Sequence, residues 1–422
     1  MRKLPVGDAY WRYSRRPRRD DPSQGWKIHV SATILSAAEV FSRVHPILRK
    51  YDALYKIPAR LELLSALNAG LPDFSQVGKF LTVYPRSTVE AKTLARELHL
   101  ATRGLTGPRI PFDVRYRSNS LVHYRYGAFR RSAKNSGGVI RVPSGKLRPD
   151  KRDRGQAVPA WLADPFQKSR AKAARPRGPI GLELLAYKVR TQRGKGGVYE
   201  ALDLSVSPAR RVILKEGRRH GETDLQGNDG YARTKQEARV LRSLRKAGLR
   251  VPGVFREFVQ ERNRYLVLER VAGRPLIPLT RLHPKKFSWP RAEKILRELE
   301  PLLSRIHRAG WVWRDCKPSH ILVRRDQVCL IDFEGACEIN RTNVLPWGSP
   351  NYSPTPRDIR RAGRGEDDYA LGVIAFQFGT GKFPPASASG RAAPYQRTKC
   401  PSALRERIER LLTAKNAHRL VK

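Results

Sequence analysis

The stretch that most restricts how this 422-residue chain can fold runs from 311 to 337. It reads Trp311-Val312-Trp313-Arg314-Asp315-Cys316-Lys317-Pro318-Ser319-His320-Ile321-Leu322-Val323 and then, after a polar interval, Leu330-Ile331-Asp332-Phe333-Glu334-Gly335-Ala336. Two apolar runs, Ile321-Leu322-Val323 and Val328-Cys329-Leu330-Ile331, flank Arg324-Arg325-Asp326-Gln327, which is the pattern of a β-hairpin. A hairpin there brings the acids on either side of it together, so Asp315 and Asp332 are expected to face one pocket. Two carboxylates so placed suit phosphoryl transfer. One orients the attacking hydroxyl and accepts its proton, while the other holds a divalent cation against nucleotide phosphates.

The stretch resembles the catalytic and metal-binding loops of protein kinases, with Arg314-Asp315, Lys317-Pro318 and Asp332-Phe333 in place. The resemblance implies catalytic roles for Asp315 and Lys317, and Mg²⁺ ligation by Asp332 and by whatever stands at His320. Three positions depart from the kinase pattern. Trp313 replaces His, Glu334 replaces Gly, and His320 replaces the Asn that binds a second metal ion. Mg²⁺ prefers hard oxygen ligands, so an imidazole is a poor partner for it, and a kinase-shaped scaffold without catalysis is the competing expectation.

Other segments fall in kinase order. Arg193-Gly194-Lys195-Gly196-Gly197-Val198 is a glycine-rich turn between apolar strands, suited to bringing backbone N–H groups close to phosphates. Val212-Ile213-Leu214-Lys215 follows, and Lys235-Gln236-Glu237 opens a helix with Ala238, Leu241 and Leu244 on one face. ATP is therefore expected to meet Gly194, Gly196, Gly197, a Lys215–Glu237 pair, and Glu269 at the end of Tyr265-Leu266-Val267-Leu268. A helix carrying Ile295, Leu296, Leu299, Leu302, Leu303 and Ile306 ends at Gly310, and Pro301 should kink or divide it. Trp347-Gly348-Ser349-Pro350 resembles the segment on which kinases seat their substrate. Asp367 resembles a residue of their buried central helix that ties the catalytic loop in place.

The N-terminal part reads as α+β. Gly25-Trp26-Lys27-Ile28-His29-Val30 alternates as a strand does, putting Lys27 and His29 on one face. A helix over 34–50, a short strand at Tyr55-Lys56-Ile57 and a strand over 78–85 follow. Ser87-x-x-Glu90 then caps a helix over 88–101, and 120–129 forms a last clear strand. The stretch from about 131 to 180 is basic and rich in Gly and Pro, and reads as a long connection.

The phrases QGWKIHVSA, GKFLTVYP, HYRYGAF and PAWLADPF resemble, in the same order, the N-terminal region of class III and class IV lanthipeptide synthetases, where a phosphothreonine-lyase-like domain precedes a kinase domain. The resemblance implies a two-step dehydration. The kinase phosphorylates Ser or Thr in a precursor peptide, and the lyase eliminates the phosphate. It further implies Lys27 as base, His29 as acid, and Lys56 and Arg125 as phosphate ligands. The Arg fork suits phosphate, and neighbouring cations should lower the Lys27 pKa. Lys79 is a weaker candidate for the same site, with a structural strand residue as the alternative. Phe74-Ser75-Gln76-Val77 stands where the family carries a further Arg, which puts one phosphate contact in doubt.

The fold expected is thus α+β, with a phosphothreonine-lyase-like domain over 1–178, closed by a basic linker. A bilobal protein-kinase-like domain follows over 179–422, its lobes meeting near 272/273. The cofactors implied are ATP and Mg²⁺, and the partner a precursor peptide. Synthetases of this kind continue into a cyclase, whereas this chain reaches Lys422 soon after a short helical segment over 404–412, so the expectation is either a separate cyclase or a product that is a dehydrated or merely phosphorylated peptide. No apolar run approaches the roughly 20 residues that span a bilayer, so no membrane partner and a cytoplasmic protein are expected. Cys316, Cys329, Cys337 and Cys400 show neither metal spacing nor a disulfide pattern. The net charge of +46 calls for an acidic partner. It is dense over 101–180, where 19 Lys and Arg face 4 Asp, a net of +15. That stretch interleaves Tyr116, Tyr124 and Tyr126 with its charge but shows no recognised nucleic-acid-binding module, so nucleic-acid contact is expected to be nonspecific.

Overall fold

The computed structural model describes residues 6–7, 9–129, 138–153, 155–167, 180–181, 183–276, 287–325, 327–354 and 361–413. The chain divides into two compact units. Residues 1–210, 214–232 and 258–265 form one; 211–213, 233–257 and 266–422 form the other.

The first unit begins with β1 (Val6–Gly7), β2 (Trp11–Tyr13), β3 (Gln24–Val30), α1 (Ala37–Lys50), β4 (Leu54–Pro58), α2 (Leu61–Ala69), β5 (Leu81–Tyr84), α3 (Thr88–Ala101), β6 (Val114–Arg115) and β7 (Val122–Ala128). Its seven strands lie in the order β1-β2-β4-β5-β3-β7-β6. Strand alternation sorts the two faces. Trp26, Ile28, Val30, Leu81, Val83, Val122 and Tyr124 form a core with Val40, Val44 and Leu48 of α1 and Leu94, Ala95 and Leu98 of α3. The residues between them turn to the opposite face. Pairing sets Lys27 beside Arg125, His29 between Thr82 and His123, and Lys56 beside Thr82. Half of the capping box forms as expected, with Ser87 Oγ accepting the Glu90 N–H at 3.1 Å, while the Glu90 carboxylate accepts the N–H of Arg86 rather than that of Ser87. The helix α2 had no counterpart in the sequence reading.

The stretch after β7 is more than a linker. It makes a hairpin of β8 (Val139–Arg141) and β9 (Leu147–Pro149), and returns Phe166 to the core beside Trp26 and Tyr124. Tyr124 Oη donates to Asp164 at 2.8 Å. Tyr124 is thereby a core residue and no platform for a base. The expected boundary at 178/179 lies outside the described residues.

Next come β10 (Leu184–Arg193), β11 (Gly196–Asp203), β12 (Arg210–Gly217), α4 (Gly230–Lys246), β13 (Val254–Gln260) and β14 (Asn263–Glu269). These strands form a five-stranded sheet in the order β10-β11-β12-β14-β13.

The second unit adds β15 (Arg274–Pro275), α5 (Trp289–Arg308), β16 (Trp311–Val312), β17 (Ile321–Arg324), β18 (Gln327–Leu330), β19 (Cys337–Glu338), α6 (Gly365–Thr380), α7 (Ala388–Arg397) and α8 (Ser402–Thr413). Its core joins Ala238, Leu241 and Leu244 of α4 to Leu296, Leu299, Leu303 and Ile306 of α5 and to α6. The helix α6 is buried continuously from Ala370 to Gly379, as a helix apolar on all sides must be. Pro301 does not divide α5, which runs unbroken from Trp289 to Arg308. All four cysteines are free. Among the described residues no helix is long and apolar enough to cross a membrane.

Candidate active sites

The hairpin expected between the two acids forms as β17–β18, with Ile321 opposite Leu330 and Arg324 opposite Gln327. On its near side the short strand β16 leads through Trp313 and Arg314 into Asp315. Arg314 and Asp332 both adopt left-handed backbone, with φ of 68° and 67°. Non-glycine residues rarely do so, and such strain persists only where surrounding contacts hold it. Asp367 supplies those contacts for Arg314. It is fully buried and accepts the N–H groups of Trp313 at 2.8 Å and Arg314 at 2.7 Å, and it lies 2.9 Å from His307 Nε2.

Trp313 explains one departure from the kinase pattern. Its ring is fully buried and stacks on Phe333, with centroids 5.2 Å apart, while its Nε1 donates to the Asp332 carbonyl at 3.1 Å. Trp313 therefore packs the loop that carries Asp332.

The two carboxylates do meet. Lys317 Nζ lies 2.9 Å from Asp315 Oδ2, and Ser349 Oγ donates to Asp315 Oδ1 at 2.9 Å. Lys317 also donates to Ser349 Oγ at 2.6 Å, which closes a triangle. His320 stands between the acids, with Nδ1 3.1 Å from the Asp315 carbonyl oxygen and Nε2 3.1 Å from Asp332 Oδ2. A carbonyl only accepts, so it fixes Nδ1 as a donor and turns Nε2 towards Asp332. One ligand atom each from Asp315, His320 and Asp332 lie within 4.8 Å of one another, a separation a single divalent cation can bridge. The donor set is two oxygens and one nitrogen.

Glu237 is buried, and its Oε1 accepts the Phe333 N–H at 3.1 Å, which ties α4 to the loop of Asp332. Lys215 is half-buried in β12. Two of the residues expected at ATP make other contacts in this structure. The Glu269 carboxylate already accepts the Gly253 N–H at 3.0 Å and pairs with Arg245 at 3.1 Å, so it braces its own strand. In the glycine-rich turn, the Gly194 N–H donates to the Ala69 carbonyl at 3.0 Å instead of pointing towards phosphate. A Cβ at Gly194 would stand 1.6 Å from the Asn68 carbonyl oxygen, so this approach to the end of α2 demands glycine. Gly196 and Gly197 open β11, paired with Arg193 and Gln192.

The second cluster lies on the polar face of the seven-stranded sheet. Lys27, His29, Lys79 and Arg125 are all buried. His29 Nδ1 is 2.6 Å from Asp113 Oδ2, and Lys79 Nζ is 3.5 Å from Asp113 Oδ1. Arg125 makes a forked contact with Asp150, at 2.7 and 3.3 Å, and Lys27 Nζ lies 3.7 Å from the same carboxylate. Burial lowers the Lys27 pKa to about 7 against the pull of Asp150, helped by Arg125, Arg152 and Lys79. Burial likewise lowers Lys79 to about 8, opposed by Asp113. Burial holds His29 at about 3, so the imidazole is neutral at pH 7 despite Asp113. Asp113 stays below the usual carboxylate range although burial raises it, because Lys79 and His29 outweigh that.

Three expectations change here. His29 is neutral before substrate arrives and needs an added negative charge to carry a proton. Lys56 is not among the larger causes of the low Lys27 pKa, and its ammonium sits 3.9 Å over the Trp11 ring. Lys79 precedes its strand and belongs to the cluster. Asp113 and Asp150 were missed altogether, because single carboxylates in irregular segments carry no local signal.

Both parts of the chain have counterparts among known proteins. Residues 191–418 match the protein kinase domain family. The chain belongs to that family. Residues 6–178 match the RamC N-terminal domain family. The "Probable SapB synthase" of Streptomyces coelicolor is 32% identical over 386 residues, which cover 86% of this chain and 40% of that relative. Serine/threonine-protein kinase C of Synechocystis is 29% identical over 222 residues, covering 49% of this chain and 41% of that kinase. The chain thus spans about two fifths of the length of these relatives. The kinase PK-1 of the Cydia pomonella granulovirus aligns over 57% of this chain and 91% of its own, with 16% identity and a TM-score of 0.43.

Proposed function

We propose that this protein dehydrates Ser or Thr residues of a precursor peptide, as the first stage of a lanthipeptide-type synthesis. The kinase part transfers phosphate from ATP to the hydroxyl, and the N-terminal part eliminates it to leave a dehydroamino acid. The observation that carries the reading is the N-terminal cluster. Two buried amines with pKa values of about 7 and 8 stand on the same sheet face as a buried Arg and a carboxylate-bound imidazole. Elimination of phosphate needs a neutral amine to take a proton and cations to hold the leaving group.

In the transfer step, Lys317 and Ser349 hold Asp315 so that its carboxylate accepts the proton of the attacking hydroxyl. Asp332 and His320 would hold a divalent cation, which neutralises charge on the nucleotide phosphates. In the elimination step, a neutral amine removes the α-proton, the Cα–H electrons form the double bond, and the Cβ–O bond breaks with its electrons leaving on phosphate. Lys27 and Lys79 are the two amines able to do this. A phosphate dianion beside His29 raises the imidazole pKa, and the imidazolium then protonates the leaving oxygen, with Asp113 keeping Nδ1 in place. The charge of +46 favours an acidic peptide segment as the recognition element.

Intact mass spectrometry of a Ser/Thr-containing peptide with ATP and Mg²⁺ or Mn²⁺ tests this. The expected result is a loss of about 18 Da per site, one water, abolished by Asp315→Asn. Lys27→Ala and Lys79→Ala proteins separate the two amines: loss of the base leaves a stable gain of about 80 Da, one phosphate. A stable gain with the unaltered protein would reduce it to a kinase whose N-terminal part only binds.

A further inference from the structure

The anion seat of the N-terminal cluster is already filled from within the chain. Asp150 follows directly on the β8–β9 hairpin and is buried, with 6% of its surface exposed. Its Oδ1 accepts from Arg125 Nη2 at 2.7 Å. Its Oδ2 faces Arg125 Nη1 at 3.3 Å, the Ala128 N–H at 3.0 Å and Lys27 Nζ at 3.7 Å. A guanidinium fork, an ammonium and a backbone amide converging on two oxygens form the donor set that would hold two oxygens of a phosphate. The seat is shaped for close approach: a Cβ at position 127 would stand 2.6 Å from Asp150 Oδ2, and Gly127 has none.

The cations and the carboxylate come from different kinds of structure. Lys27 and Arg125 sit opposite each other on the paired strands β3 and β7 within the seven-stranded sheet. Asp150 comes from a two-stranded hairpin that forms a sheet of its own, with all three residues of β9 exposed. Gln24 ties that hairpin to β3 through Arg141, accepting its N–H at 2.6 Å and donating to its carbonyl at 2.9 Å. The Asp150 N–H itself bonds to Gly138.

We infer that Asp150 occupies the seat of the substrate's phosphate, and that the 138–150 hairpin is a strap displaced by a phosphorylated side chain. The inference rests on the elimination reading and adds a specificity rule to it. A phosphate carries close to two negative charges and three acceptor oxygens, and so displaces a monoanionic carboxylate from Arg125 and Lys27. A neutral Ser or Thr hydroxyl cannot. The strap therefore keeps unphosphorylated peptide out of the lyase cluster.

Inorganic phosphate is the probe, since it binds without turning over. Titration calorimetry of the full chain should show Asp150→Asn binding phosphate on the order of tenfold tighter than the unaltered protein, because apparent affinity scales with the fraction of molecules whose site is open. In the unaltered protein, saturating phosphate should raise amide exchange across 139–149. Equal or weaker binding by Asp150→Asn overturns the inference, because Asp150 then serves to position Arg125. If that variant does not fold, unchanged exchange over 139–149 at saturating phosphate overturns it. Absence of phosphate binding in both proteins removes the seat, and the elimination reading with it. Tighter binding without any elimination of phosphopeptide would keep the strap and refute the lyase activity alone.

Discussion

Asp367→Asn is the sharpest test of what holds the catalytic loop. The wild-type carboxylate serves three partners with two oxygens: Oδ1 takes the Arg314 N–H, and Oδ2 takes the Trp313 N–H and lies against His307 Nε2. An amide has one oxygen. If that oxygen faces Trp313, the NH₂ group meets the Arg314 N–H, donor against donor, and the reverse orientation strands Trp313 instead. One buried hydrogen bond to a charged acceptor is lost, at about 1.5–3 kcal/mol. The bonds that remain fall from charge-assisted to neutral strength, so the sum is about 2–4 kcal/mol. The strain falls on Arg314, whose φ of 68° precedes Asp315 directly. Urea unfolding followed by tryptophan fluorescence should show that loss of stability. Phosphotransfer should drop on the order of a hundredfold, since misplacing a catalytic group by about 1 Å costs that much. A stability loss below about 1 kcal/mol, with transfer within about twofold of wild type, would show that Asp367 does not hold the loop.

Two further perturbations probe the clusters independently. With the Lys27 and Lys79 ammonium groups lowered to about 7 and 8, the neutral amine fraction grows as pH rises through those values. Elimination from a chemically phosphorylated peptide should therefore climb between pH 6 and about 8 and then level; a flat or falling profile would remove both lysines as the base. His320→Asn exchanges a nitrogen ligand for an oxygen one, so the preference for Mn²⁺ over Mg²⁺ should fall by about tenfold. Loss of the free Mn²⁺ signal in electron paramagnetic resonance, with Mg²⁺ as competitor, reads this directly, and an unchanged ratio would exclude His320 as a ligand.

What the sequence made legible was whatever depends on local spacing. The alternation in Gln24–Val30 placed Lys27 and His29 together on one face, and the short interval between two apolar runs placed Asp315 near Asp332. Both candidate clusters are legible through those strands. The partners that set the electrostatics were not, because each arrives from a distance through irregular chain. Asp113 reaches His29 across 84 positions, and Asp150 reaches Arg125 across 25. The stretch from 131 to 180 read as a linker because its Gly, Pro and Arg content lacks hydrophobic period, yet one carboxylate and one aromatic from it, Asp150 and Phe166, are fixed by charge and by packing.

What escapes a local reading has a common cause: the competitors of a side chain within the fold come from distant segments. Arg125 has the right fork for phosphate, but a fork buried at 3% exposure must have an acceptor even before substrate arrives, and Asp150 is that acceptor. Neighbouring cations such as Arg125 do help to lower the Lys27 pKa, as expected, but burial is the larger cause and Asp150 works against both. The Gly194 N–H, free to meet phosphate in a local reading, is taken by Ala69 at the end of α2. In each case an unsatisfied buried group was implied by the sequence, and its partner was not. A charged residue placed on the buried face of a strand should thus be read as one half of a pair, and the identity of the missing half decides whether the site rests open or closed.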